Sequence, residues 1–404
     1  VFLGSGQLLV RGATASQLTT DTDPLDATRL VVNLGVDGGE SDITDAVRGG
    51  SLGGLLEFAE DGLGAARNQL GRIATAFATA VNEQHERGMD YDGDLGGAFF
   101  GIADPAVILS TQNTGTASAT LAIADVDQLG IDEYQLRFDG ANYTILNDTT
   151  GASVPFTGTG TAGDPFVFEG LEVAVSGTPA AGDQFSLQPV RNAAASLSLL
   201  VQSGRDVAAA FPVTTGTGGS NTGSGVISVS EITDPTDPNL LATTTIQFTD
   251  PNTYQVNGAG SFAYTPGAPI SVNGVEIEID GAPQTGDQFT IESNIGGIGD
   301  NRNMLALGLV PSEGRLDEGR ETLNDAVATL VSQAGISGRE AARGLAAQET
   351  LLEQAEARVL EVSGVNLDEE AANLIQFQQT YQAAAQMIAV ADSLFATILN
   401  AVAR

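Results

Sequence analysis

Apolar side chains near the C-terminus of this chain follow one another at alternating steps of three and four: Leu374, Phe377, Tyr381, Ala384, Ile388, Ala391, Phe395, Ile398 and Val402. That spacing predicts one long helix whose seam packs lengthwise on partner helices. Ile375, Met387, Val390, Leu394 and Leu399 flank the seam, so one neighbour would leave much apolar surface wet and more than one is expected. Just upstream, Gly364 suits the left-handed stop of a preceding helix, and Asn366 with Glu369 suits the capping box of the final one. Asp368, Glu369 and Glu370 stand where the helix dipole favours acid. At about 1.5 Å per residue the final helix should reach roughly 50 Å.

Elsewhere the period changes. From Val1 to about Val47, short alternating runs broken by Gly and Asp-Pro predict hairpins. Leu52, Leu55, Leu56, Leu63, Leu70, Ile73, Phe77 and Val81 then recur on one helical face that ends at Gly88. The middle is β-rich and repeats itself: Gly177-Thr-Pro-Ala-Ala-Gly-Asp-Gln-Phe185 returns as Gly281-Ala-Pro-Gln-Thr-Gly-Asp-Gln-Phe289. Each copy predicts a strand that enters a Pro-x-x-Gly-Asp turn and leaves on another, a hairpin of a small sandwich or barrel. Between the copies, Asn192–Ala210, with Leu197, Leu199, Leu200 and Val207, reads as helical, and Thr214–Gly225 as a flexible linker. Beyond Gly299, Asp300–Leu307 predicts a short helix and Leu316–Val362 a long one.

These elements divide the chain into a shaft domain of hairpins plus long helix (1–103), a first β module (104–190), and a helical connector with Gly/Thr/Ser linker (191–225). A second β module (226–298), return helices of the shaft (299–362) and the C-terminal axial helix (363–404) follow. The expected fold is α+β, elongated and multi-domain: a long coiled-coil-like helical shaft from the chain ends with two inserted, repeated antiparallel β modules.

Composition narrows the chemistry. The formal net charge is -35, every basic residue is Arg and none is Lys, which disfavours nucleic acid and anionic membranes as partners. Such a surface fits either adaptation to high salt, where counterions screen self-repulsion, or high-GC amino-acid usage. Between Glu370 and Arg404 the only charged side chain is Asp392. Asn373, Gln376, Gln378, Gln379, Gln382 and Gln386 interrupt the apolar run, so no membrane insertion is expected. Cysteine is absent, which excludes disulfides, thiolate metal sites and a cysteine nucleophile. His85 is the only histidine and reads as a solvated residue near a helix end. Asp90-Tyr-Asp92-Gly-Asp94 opens like a calcium loop, but Leu95 and Gly101 stand where an EF-hand needs Gly and Glu; it reads as a solvated turn. No catalytic, cofactor-binding or metal residue is assigned, and no cofactor. No charged and apolar leader opens the record, which begins with Val, so no cleaved secretion signal is expected and the chain reads as starting partway through a longer protein.

With these residues laid out, the segment Ser363-Gly-Val-Asn-Leu-Asp-Glu-Glu-Ala-Ala-Asn-Leu-Ile-Gln-Phe-Gln-Gln-Thr-Tyr381, followed by Leu394-Phe395, resembles the C-terminus of the bacterial flagellar hook-associated protein 1 family. Leu-Gly-Gly-Leu-Leu-Glu-Phe58, Asn-Glu-Gln-His85, Gly-Gly-Ala-Phe-Phe100 and Asp300-Asn-Arg-Asn-Met-Leu-Ala-Leu307 resemble the same family, whereas the β modules carry little identifying signal. The resemblance implies a non-enzymatic structural subunit joining hook to filament, with terminal helices in an axial tube and β domains facing outward. It implies a homo-oligomer in a ring or helical assembly. The partners implied are the hook protein, other hook-associated proteins on the filament side and a flagellar export chaperone. It also implies an extracellular place on the flagellum, and a further helical segment upstream of Val1 that pairs with the final helix. Rival readings are another axial protein such as the hook protein, an extracellular β-module adhesin, and a carbohydrate-active β-sandwich enzyme.

Overall fold

The computed structural model describes residues 6, 8–11, 14–36, 39–47, 50–363 and 367–402. They fall into two compact units, Val1–Ala334 and Gly335–Arg404. The first opens with an antiparallel meander of Leu18–Asp23 (β1), Asp26–Val36 (β2) and Gly39–Asp42 (β3), in that order. Its central strand buries Val32 and Leu34, which close a small core with Ile43. A helical run follows as Gly50–Glu57 (α1), a wider π-helical stretch Phe58–Gly64, and Ala65–Glu86 (α2). The second half of α2 is core: Ile73, Ala76, Ala80 and Val81 pack with Val310, Leu316, Leu323 and Ala326.

Two β-sandwiches follow. The first is built from Ala106–Leu109 (β4), Ser118–Ile123 (β5), Tyr134–Phe138 (β6), Tyr143–Asn147 (β7), Ser153–Val154 (β8), Phe166–Phe168 (β9), Leu171–Ser176 (β10) and Gln184–Gln188 (β11). Its sheets run β8-β7-β6-β11-β4 and β9-β10-β5. The second uses Val213–Thr217 (β12), Val226–Ile232 (β13), Thr244–Asp250 (β14), Thr253–Val256 (β15), Ala259–Ala263 (β16), Ile270–Val272 (β17), Val275–Asp280 (β18) and Gln288–Ser293 (β19). Its sheets run β16-β15-β14-β19-β12 and β17-β18-β13, the same order. Alternation sets each core: along β18, Val275, Ile277 and Ile279 point inward while Glu276, Glu278 and Asp280 do not.

The Pro-x-x-Gly-Asp turns do more than reverse the chain. The Asp183 carboxylate accepts the amides of Ala180 at 2.9 Å and Thr114 at 2.9 Å, and Asp287 accepts those of Gln284 at 2.8 Å and Thr222 at 2.7 Å. Beside each, an asparagine completes the clamp. Asn113 exchanges two hydrogen bonds with the Gln184 backbone, and Asn221 does the same with Gln288.

Three sequence expectations are corrected. Thr214–Gly225 is not a free linker: its start belongs to β12, which pairs with β19, and Asn221 and Thr222 are held by the second clamp. Composition suggested flexibility, but the Asn-Thr-Gly turn is satisfied by partners more than sixty residues away. Asn192–Ala210 is helical only at Ala193–Ser196 (α3). Beyond it, Ser198–Leu199 pairs with Phe100–Gly101, and the Ala208 and Ala210 amides bond to His85 and Met89. The long helix starts at Leu323, not Leu316. Gly314–Leu316 and Glu321–Thr322 form a hairpin, and a reciprocal cap between Thr322 and Asp325 starts the helix.

His85 is also corrected, because it is 1% exposed rather than solvated. Its Nδ1 lies 2.7 Å from the Gly97 carbonyl and its Nε2 accepts the Ala208 amide at 2.8 Å. That pair of partners requires the neutral tautomer protonated at Nδ1. The ring packs edge-on against Phe99, so it ties α2 to two loops as a core residue.

The first sandwich meets α2 at Gly71. A Cβ built there would stand 2.0 Å from the Val190 carbonyl oxygen, so only glycine admits this approach. Gly71→Ala is expected to cost about 1–3 kcal/mol of stability through overpacking, read by chemical denaturation. A loss under roughly 0.5 kcal/mol, the level of an ordinary surface change, would show that the contact is not closed.

Candidate assembly surface

The second unit carries the residues that the sequence marks for assembly. The penultimate helix, Leu323–Ser363 (α4), runs into it from the first unit, and the final helix is Leu367–Val402 (α5). At about 1.5 Å per residue α5 is about 54 Å long. Its first turn holds Asp368, Glu369 and Glu370, as the dipole argument expects. Gly364 and Asn366 lie outside the described residues, as does the side chain of Val402.

Along α5 the seam is exposed in the single chain. Phe377 is 73% exposed, Tyr381 78% and Ile388 64%. Leu374, Phe395 and Ile398 are also exposed, Ala391 likewise, and Ala384 is half-buried. The helix thus brings the eight described seam residues onto one continuous stripe. A run of large apolar side chains left in water marks an interaction surface. By length and composition, Asp368–Asn400 is apolar enough to cross a membrane, which the sequence reading did not expect. The difference lies in the alanines, which are gaps in a seam of large residues but apolar in an average. Six Gln or Asn side chains between Asn373 and Gln386 remain, and hydrocarbon offers them no partner.

The sequence reading missed a second stripe. On α4, Val331, Leu345, Leu352 and Val359 are exposed and, with Ala334, Gly338, Ala341, Gln348 and Ala355, repeat the same three-four step. Small residues between the large ones hide this signal from a search for bulky positions, although the period itself could have found it. A third exposed set lies on the first helical run: Leu52, Leu55, Phe58, Leu63 and Leu70. On the predicted face there, Leu56 is half-buried against the meander core and full burial begins at Ile73.

Charge is placed differently in the two units. In the first, arginines join segments distant in sequence. Arg191 pairs with Asp26 and with Glu133, Arg72 with Glu321 at 3.1 Å, Arg87 with Glu231 at 2.8 Å and Arg315 with Glu83 at 2.9 Å. Arg205 pairs with Asp92 and lies 4.0 Å over the Tyr91 ring. The acidic loop is therefore a closed turn: Asp90 accepts the Asp92 and Asp94 amides at 2.9 Å, and Asp92 is neutralised by Arg205. Among the described residues no group of three or more His, Asp or Glu is placed to hold a metal. A polar cavity of about 50 Å³ beside Arg191, Asp26, Glu133 and Gln188 has room for only a few waters.

Comparisons with known proteins match this arrangement. Residues 356–401 match the model described as flagellar basal body rod FlgEFG protein C-terminal, which sets the class as flagellar axial proteins. Residues 1–100 match the flagellar hook-associated protein FlgK helical domain, and 108–189 the flagellar hook-associated protein 1 D2-like domain. The flagellar hook-associated protein 1 of Salmonella typhimurium is 30% identical over 402 residues, 98% of this chain and 58% of that protein; that of Escherichia coli K12 is 28% identical over 403 residues, 99% of this chain and 58% of its own length. The solved structure of the flagellar hook junction protein FlgK from Burkholderia pseudomallei is 32% identical. It covers 90% of this chain and 73% of its own length, with a TM-score of 0.79. The chain belongs to the flagellar hook-associated protein 1 family. It spans 58% of the length of the Salmonella and Escherichia relatives. The first β module, expected to carry little identifying signal, is one of the regions that match the family, while the match over the C-terminal segment is to the wider axial class.

Proposed function

We propose that this chain is a structural subunit of the bacterial flagellar axis and acts as the junction between hook and filament. The observation that carries this reading is the uncharged, exposed seam of α5 in a chain of this family. Such a seam is unfavourable in a solitary molecule and is stabilised when copies bury it, at about 25 cal/mol per Å² before ordering costs. In this reading the terminal helices form a coiled-coil-like shaft in a ring or helical homo-oligomer, and the sandwiches face outward as two copies of one module. Their common strand order and their twin Asn-Asp clamps support that duplication. The same seam, before assembly, is the surface an export chaperone would cover. Hook protein on one side and another hook-associated protein on the other are the partners, outside the cell.

Deleting the gene in its host separates the readings. Cells are expected to carry hooks without filaments under the electron microscope. Loss of hooks as well would indicate the hook protein instead, and intact flagella would leave an adhesin.

A further inference from the structure

Every arginine of the first unit whose side chain is described has a polar partner, whether a carboxylate, a carbonyl or an amide. Three exposed arginines of α4, Arg339, Arg343 and Arg358, have none among the described residues, and the first two form a pair. Arg339 and Arg343 stand four residues apart, so two like charges sit on adjacent turns, an arrangement that opposes helix formation and that Glu340, three residues before Arg343, offsets only in part. Ten residues further along, Glu349 and Glu353 repeat the same spacing with the opposite sign, again exposed and again mutually repulsive. Each pair is unfavourable within its own chain.

We propose that these two pairs form a contact between neighbouring copies. Two parallel α4 helices displaced by ten residues, about 15 Å along the axis, bring Arg339 opposite Glu349 and Arg343 opposite Glu353. Both pairs are satisfied by one displacement because their internal spacing is identical. The two pairs lie at different heights on one broad flank of the helix, their centres about 80° apart round the axis, off the apolar stripe of Val331, Leu345, Leu352 and Val359. Displaced parallel copies meet through different patches, the arginines of one and the glutamates of the next, so the contact is head-to-tail and extends from copy to copy rather than closing on a dimer. The occupant is a second copy: in a chain with 51 acidic and 16 basic residues, this unpaired basic pair has its complement on the same helix. The contact rests on the polar axial assembly proposed above and supplies its stagger.

This sequence contains no cysteine, so cross-links through introduced thiols are read against the unsubstituted protein as control. The full-length protein carrying Arg343→Cys and Glu353→Cys is expressed in its host, flagella are isolated, and mild oxidation is followed by non-reducing electrophoresis and immunoblotting. A ladder of dimers, trimers and longer species is expected. Incorporated protein that yields no cross-link, or dimers alone as a closed antiparallel pair would give, overturns the contact while leaving the junction reading in place. Wild-type protein absent from isolated flagella would instead overturn the junction reading. Separately, Arg339→Glu with Arg343→Glu is expected to reduce incorporation, and adding Glu349→Arg with Glu353→Arg in the same chain to restore it. Failure of the fourfold swap to restore incorporation, with helical content unchanged by circular dichroism, likewise overturns the contact.

Discussion

Phe377→Asp, and equally Ile388→Asp, is expected to abolish motility while leaving the isolated polypeptide as stable as before. In the single chain Phe377 is 73% exposed and Ile388 64%, so a carboxylate at either position meets water and costs the monomer little, within about 0.5 kcal/mol. The effect appears on assembly, where the seam is covered and the new charge has no counterion: between Glu370 and Arg404 the helix offers only Asp392. Burying an unpaired charge there opposes association by several kcal/mol per copy, and each added copy meets the same penalty. Immunoblots of isolated hook structures should lack the variant, and its denaturation curve should overlay that of the native chain. Gln379→Glu, on the opposite side of α5 from the seam, should be tolerated better. Normal swimming by the Phe377 variant would remove the basis for treating the seam as the assembly surface.

Arg191→Met is the change expected to weaken the first unit most. Arg191 bridges Asp26 on the meander and Glu133 at the start of β6, and Glu133 also accepts from Asn68 of α2 at 3.1 Å. Methionine keeps the apolar stem but leaves two largely buried carboxylates without their cation. Breaking a buried pair from one side costs about 3–5 kcal/mol, and partial solvent access here reduces that to about 2–3 kcal/mol. Replacing Glu133 by Gln in the same chain should recover part of the loss, because one stranded charge is then removed.

The acid limb should change as well. At Asp26 burial pushes the carboxyl upward, but hydrogen bonds from Thr28 and the Arg191 guanidinium outweigh it, and the group is held below its ordinary value. A depressed folded-state pKa stabilises the fold above the unfolded value, near 3.9, and that contribution is lost as pH falls through the folded value. Native protein should therefore lose this part of its stability only below about pH 4, and Arg191→Met, which lacks the guanidinium's share at every pH, should lose less than native protein as pH falls through that range. Superimposable acid-unfolding curves for the two proteins would show that the guanidinium contributes nothing there.

Where a feature depends on a repeating local pattern, it was legible in the chain. The α5 seam, the amphipathic α2 and the twin Pro-x-x-Gly-Asp turns are read from period and turn chemistry, because burial of one face and the needs of a tight turn act over a few residues. The α4 stripe follows the same rule but was obscured by Ala334, Gly338 and Ala341. His85 and the Asn-Thr-Gly turn of the second module were misjudged for another reason. A lone histidine near a helix end and a Gly/Thr/Ser run both look solvent-loving, and their partners, Ala208 and Asp287, cannot be identified from neighbours in sequence.

By itself, then, the order of residues determined which helix would be greasy and where the β repeat would turn, since hydrophobic periodicity and backbone preference are local quantities. Only the tertiary structure decided that the supposed linker begins as strand β12 and ends in a clamped turn, that His85 is core, that Gly71 must stay small, and which partner each arginine of the first unit meets. Those outcomes depend on groups between about a dozen and more than two hundred residues apart being brought within hydrogen-bond distance, and a directional contact is selected by the folded geometry rather than by composition.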